Sequence, residues 1–218
     1  MLTVIQQALG IKTRIESDAE KEVLFTFDDG PDPLVTGKIL DMLDTAGAKA
    51  VFFVVGNRIH KAEHMLREVL DRGHLIGNHS YTHWLGKPPS SAREYLADIE
   101  KCQQRIFDAC GYTPVLFRPP LGAVNLATIR TARCLNLQIY KWSFDTNDWR
   151  LRDDDTARAQ GTELAGKLAH RDVILMHDDN VHTPLVVEEM LRLLTSQRVD
   201  LSSFVSAKTI VTNVRQSA

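Results

Sequence analysis

Val23-Leu-Phe-Thr-Phe-Asp-Asp-Gly30 decides the fold. Its first five residues are apolar or β-branched without a polar alternation, as in a strand buried on both faces of a parallel sheet. The run then breaks at once into two carboxylates and a glycine. Downstream, Ile39, Met42, Leu43 and Ala46 fall at helical spacing, and Gly47 is placed to cap that helix. Ala50–Val55 is the next buried run. Ala62, Met65, Leu66 and Val69 make a second helical stripe, closed by Gly73 ahead of a short strand at His74–Gly77.

The same alternation continues to the end of the chain. Glu94–Cys110 reads as a long helix ended by Gly111, Val115–Phe117 as a strand and Leu126–Leu135 as a helix. Gln138–Phe144 reads as one strand, Thr156–Ala169 as a helix and Val173–Met176 as a strand. Thr183-Pro184 opens a helix with the stripe Val187, Met190, Leu191 and Leu194, Pro standing in the first-turn position it favours. Leu201–Val205 reads as a last short strand. Buried strands alternating with helices predict an α/β fold with a parallel sheet covered by helices. About seven strand–helix units predict a distorted or incomplete (β/α) barrel rather than a regular eight-fold one. An open doubly wound sheet is the alternative. A single domain over 1–218 is expected, with the motif-bearing core at about 23–205 and a polar tail at 206–218.

The 218 residues are 44% hydrophobic and 25% charged, with a net charge of −2, which suits an ordinary globular protein and gives no footprint for nucleic acid or an anionic membrane. No apolar run approaches a membrane span, and Met1–Glu20 lacks the apolar core and cleavage site of a signal peptide. A cytoplasmic location is the default expectation, although a trimmed secreted or periplasmic protein would look the same. Cys102, Cys110 and Cys134 are expected to be reduced and partly buried, an odd number being a poor disulfide framework. The sequence carries no mark of oligomeric state.

The unusual polar residues cluster at strand ends: Asp28-Asp29-Gly30, Asn78–His83, Arg118–Gly122, Asp145–Trp149 and His177–Asp179. In a parallel barrel those ends converge on one face. Asp28 and Asp29 repel each other, and a divalent cation relieves the repulsion, though an Asp-Asp-Gly is also a common turn. His79 and His83 lie on one side if the segment turns helically, and two imidazoles with a carboxylate make a three-ligand metal site. His60, His64 and His74 are expected in solvent. His177, after a buried strand, has the intrinsic pKa of an acid or base, or is a hydrogen-bonded structural histidine. Arg118 in a proline-stiffened loop suits a carboxylate partner held by paired N–H donors. Asp148-Trp149 suits a partner for histidine and a wall for a sugar.

Thr26–Gly30, His79–His83, Arg118–Gly122, Asp145–Trp149 and Leu175–His177 together resemble the five ordered motifs of the NodB-homology polysaccharide deacetylases, carbohydrate esterase family four. The resemblance covers nearly the whole chain. It implies Asp29, His79 and His83 as ligands of a divalent ion, usually zinc with cobalt or similar ions accepted. It implies Asp28 as general base, His177 as general acid, Arg118 as the residue orienting the base, and Asp148 or Asp145 as the carboxylate tuning His177, Asp148 being favoured. Pro120, Leu121, Gly122 and Trp149 would line the substrate groove, the Leu121 N–H helping to hold the oxyanion. Leu121 departs from the tyrosine common in the family. The implied activity is metal-dependent release of acetate from N-acetylglucosamine-containing oligo- or polysaccharides such as chitooligosaccharide or peptidoglycan. The rivals are a cyclic-imide or ureide amidase on the same scaffold, an O-acetyl xylan esterase, and a catalytically silent glycan-binding protein.

Overall fold

The computed structural model describes residues 9–16, 21–84 and 89–206. Most of the leader reading at Met1–Glu20, and the polar tail after Ser206, lie outside those residues. The strands are β1 (Leu24–Asp28), β2 (Ala50–Val54), β3 (Leu75–Asn78), β4 (Leu116–Phe117), β5 (Gln138–Ile139), β6 (Phe144–Asp145) and β7 (Val173–His177). They form one seven-stranded sheet in the order β5-β4-β3-β2-β1-β7-β6, with every pairing parallel. The longer helices are α1 (Thr36–Thr45), α2 (Glu63–Asp71), α3 (Ala92–Cys110), α4 (Leu126–Cys134), α5 (Asp154–Ala165) and α6 (Thr183–Ser196). None of them is long and apolar enough to cross a membrane.

The sheet must curl. Laid flat, strands about 4.8 Å apart would put its outer strands about 29 Å from each other. The outer strands β5 and β6 are nevertheless consecutive in the chain, and five peptide steps reach at most about 18 Å. The result is the incomplete barrel that the alternation predicts. Residues 11–15 lace its open seam: Lys12 pairs with Tyr140, and Arg14 with Asp172 just ahead of β7.

Both faces of the sheet are dry, which is why the strands read as continuous apolar runs. On β1, Phe25 and Phe27 pack outward against Ile39, Leu43, Val187 and Met190 of α1 and α6. Leu24 turns inward to meet Val51, Phe53, Leu116, Tyr140 and Val173. Gly77 on β3 permits this interior, because a Cβ there would come within 2.3 Å of the Phe53 ring.

Several expectations need correction. Gln138–Phe144 is not one strand but two, β5 and β6, on opposite edges of the sheet. The residues between them span the seam rather than pairing along one ladder. Leu201–Val205 is not a strand. Asp200 accepts from the backbone N–H groups of Ser202 and Ser203 and starts a helical turn at Ser203–Ser206 instead. His74 is not solvated: it is 2% exposed, stands edge-on to Phe52 and accepts the Ala50 N–H at Nδ1. All three cysteines are free, and Cys134 is exposed rather than partly buried.

Candidate active site

The five strand-end motifs meet at one mouth of the barrel. Asp28 ends β1 facing inward, where register aligns it with Phe53 on β2 and His177 on β7. Asp29 follows in a left-handed conformation (φ 77°), which turns its carboxylate away from the strand direction. His79 leaves β3, and its Nδ1–H donates to the Arg118 carbonyl at 2.7 Å. That bond leaves Nε2 as a bare acceptor pointing into the site. Burial pushes the His79 pKa down to about 3, so the ring is neutral, the state in which imidazole binds metals. The segment to His83 is not the helical turn assumed from the spacing: Ser80 (φ 69°) and His83 (φ 54°) are left-handed.

One ligand atom each from Asp29, His79 and His83 lies within 4.8 Å of the others. His83 Nε2 stands 3.0 Å and His79 Nε2 3.6 Å from Asp29 Oδ1. That oxygen is buried and, among the described residues, accepts no hydrogen bond. An orphaned carboxylate oxygen facing two imidazole nitrogens is costly unless a cation satisfies it. The residues present therefore fit a divalent ion.

Two couples flank this triad. The first is Asp28 with Arg118, both buried. Arg118 Nη1 donates to Asp28 Oδ1 at 2.7 Å and to Thr26 Oγ1 at 2.8 Å. Its other nitrogens go to the Tyr140 and Lys141 carbonyls, so the carboxylate is held by one nitrogen rather than by the expected pair. The guanidinium lies 4.1 Å over the Phe53 ring. Burial raises the Asp28 pKa above 3.8, while Arg118 and His177 pull it back. Asp28 Oδ2 remains on the ion side, 3.6 Å from His79 Nε2.

The second couple is His177 with Asp148, which is fully buried. Asp148 Oδ1 is 2.8 Å from His177 Nδ1, and Oδ2 accepts from the His177 N–H and the Thr183 hydroxyl. Burial opposes a charged His177, but the Asp148 hydrogen bond and the charges of Asp148, Asp28 and Asp29 outweigh it and raise its pKa to about 9. Asp145 is exposed at the pocket wall, where its carboxylate accepts the Asn147 N–H.

A cleft of about 790 Å³ opens over these groups. Leu121, Trp149 and Val181 form its exposed apolar rim. Pro120 and Gly122 do not line it; both are buried behind Leu121, where they shape the turn. Arg58 lies outside all five motifs, yet it donates to the Asp29 carbonyl at 2.7 Å and pairs with Asp179. Thr183 and Asn180 also lie outside the motifs, and both hold Asp148. Thr183 was legible only as a helix start, and nothing near Arg58 in the chain marks it.

The polysaccharide deacetylase family profile matches residues 16–140. The chain belongs to the polysaccharide deacetylase family. Among curated relatives, the peptidoglycan-N-acetylglucosamine deacetylase PgdA of Listeria monocytogenes serotype 1/2a is 36% identical over 183 residues, 84% of this chain and 38% of that protein. The chitooligosaccharide deacetylase of Rhizobium leguminosarum bv. trifolii is 33% identical over 133 residues, 60% of each chain. Among polysaccharide deacetylases of solved structure, peptidoglycan deacetylase PdaC from Bacillus subtilis superposes with a TM-score of 0.77 at 29% identity, covering 93% of this chain and 95% of that one. The chain thus spans well under half the length of the Listeria relative.

Proposed function

We propose that this chain is a metal-dependent N-deacetylase that releases acetate from N-acetylglucosamine-containing glycans. The observation that carries the reading is the placement of two unlike couples, Asp28–Arg118 and His177–Asp148, around the Asp29–His79–His83 triad. The relatives named as peptidoglycan and chitooligosaccharide deacetylases support the substrate class.

Asp29, His79 and His83 would hold the ion, and two imidazoles with one carboxylate suit zinc. When bound, it supplies Lewis acidity at the amide carbonyl and eases deprotonation of water. The remaining work falls to the chain's own residues. Asp28 takes a proton from the attacking water at the oxygen that Arg118 leaves free. Arg118 fixes the other oxygen and keeps the carboxylate oriented. We assign the developing charge on the carbonyl oxygen to the Leu121 N–H, a contact that strengthens as the charge grows. His177, protonated below about pH 9, gives its proton to the leaving amine. The apolar rim at Leu121, Trp149 and Val181 offers flat and aliphatic surface to sugar rings.

The test is acetate release from chitooligosaccharides and peptidoglycan, beside acetylated xylan and cyclic ureides, with chelator and after zinc is returned. Release from the amino-sugar substrates that is lost with chelator and restored by zinc is the expected result. Undiminished turnover by fully demetallated protein, or hydrolysis of ureides alone, would overturn it.

A further inference from the structure

The segment that carries His83 is held in an unfavourable shape from both sides. Ser80, His83 and Trp84 all have left-handed backbones (φ 69°, 54° and 49°). Non-glycine residues keep such conformations only where their surroundings impose them. On one side, the Gly56 and Asn57 N–H groups donate to the Ser80 and Tyr81 carbonyls at 3.0 and 2.9 Å. Gly56 must be glycine here, since a Cβ would come within 2.6 Å of Tyr81. On the other side stands Asp98, half-buried on α3. Its Oδ2 accepts the Tyr81 N–H at 3.1 Å and the Thr82 N–H at 3.4 Å. One turn further along α3, Lys101 Nζ sits 3.8 Å from the centre of the Tyr81 ring.

His79 and His83 are fixed by different means. His79 is anchored by the end of β3 and by its bond to the Arg118 carbonyl. His83 lies beyond the two N–H groups that Asp98 receives, and its own N–H donates to the Ser80 hydroxyl at 3.0 Å, within the same turn. Removing the Asp98 carboxylate frees two main-chain donors and releases the turn on the α3 side. His83 would then shift while His79 and Asp29 stay in place.

We propose that Asp98 is a positioning residue for the ion site: its carboxylate sets where His83 stands relative to His79 and Asp29, and thereby sets the affinity for a divalent ion. The inference rests on the reading of those three residues as ligands, and it adds a residue outside all five motifs.

The test is zinc affinity of the full chain, measured by competition with a chromophoric chelator, alongside melting of the zinc-free protein. Asp98→Ala should weaken zinc binding roughly 10–100-fold, the usual effect of removing a group that orients a ligand. Asp98→Asn keeps one carbonyl acceptor and should recover most of that loss. Asp108→Ala, at another polar position of α3, should bind as the wild type does. A purely structural role for Asp98 would lower zinc-free melting and leave the affinity of folded protein unchanged. If Asp98→Ala does not fold, Asp98→Glu displaces the acceptor by one methylene and carries the same expectation. Zinc affinity within about twofold of wild type in Asp98→Ala, or in Asp98→Glu where that is used, overturns the proposal, being outside the range expected for an orienting group. Asp98→Asn as weak as Asp98→Ala also overturns it, by moving the effect from the acceptor to the charge. Wild-type protein that fails to bind zinc overturns the ligand reading first and this inference with it.

Discussion

The two sides of the barrel are built differently. β7, β1, β2 and β3 are four or five residues long and pair over nearly their whole length. β4, β5 and β6 have two residues each. On the long side the main-chain ladder sets the positions from which Asp28, Asp29, His79 and His177 emerge. On the short side buried side chains do the fastening. Arg118 ties β4 to the crossing segment through the Tyr140 and Lys141 carbonyls and to β1 through Thr26 and Asp28. Asp148 ties the turn after β6 to β7 and α6 through the His177 N–H and Thr183. Where the ladder is short, the charged groups that hold the strands together are also those to which the proposed function gives chemistry.

The contrast breaks most severely at Arg118. Arg118→Met keeps the apolar stem but strands the buried Asp28 carboxylate and two carbonyls, and losing one partner of a buried pair costs about 3–5 kcal/mol. Urea unfolding should show that loss together with inactivity; a wild-type midpoint would mean the seam does not need this side chain. Asp148→Asn should follow. Turnover should fall roughly 10²-fold, at the lower end for loss of acid–base help. The alkaline limb of the pH–rate profile should move down from about 9, because the carboxylate that keeps His177 protonated is gone. An unmoved limb would assign that ionisation elsewhere.

On the long side the vulnerable point is packing. Gly77→Ala drives a methyl against the Phe53 ring, which is itself pressed on Arg118. Overpacking of this kind costs about 3 kcal/mol at the upper end of its range, readable as a lower urea midpoint with the pH profile unchanged. The smallest effect belongs to His74. Burial holds its pKa near 4, against 6.5 in the unfolded chain. The unfolded state therefore takes up the proton first, and stability falls as pH drops from about 6.5 towards 4, by about 2 kcal/mol at pH 5. His74→Asn keeps an acceptor for the Ala50 N–H and cannot titrate. Its stability should be flatter over that window, and a slope equal to wild type would show that other groups set it.

The long side was also the side legible in the sequence. Val23–Phe27, Ala50–Val55 and Val173–Met176 are buried on both faces, so composition and length alone mark them. The charged residues that follow them stand out against those apolar runs. On the short side Gln138–Phe144 reads as one strand because Tyr140, Trp142 and Phe144 alternate with Lys141 and Ser143. Their alternation reflects a segment that crosses from one edge of the sheet to the other, and no local pattern distinguishes crossing a seam from lying in a ladder. His74 was misplaced because a histidine beside a helix end carries no sign that a backbone N–H from the neighbouring strand awaits it. Pro120 and Gly122 were drawn into the groove by their place in a motif, although their part is to bend the chain behind Leu121. Arg58 and Asp98 belong to no motif, since each acts by receiving or supplying a main-chain hydrogen bond, and such partnerships exist only in three dimensions.

Leu121 separates backbone from side chain to an unusual degree. Its main chain is fixed in a left-handed turn at φ 57°, while its side chain is 86% exposed on the rim of the cleft. Exchange of this residue removes almost no buried contact, so an evolving lineage can trial new side chains there at little risk to folding. The filter that remains is conformational. Asparagine and glycine enter such a turn easily, unbranched residues with some cost, and valine or isoleucine scarcely at all. In the proposed glycan cleft, the surface offered at this rim can thus change while the scaffold beneath it stays the same.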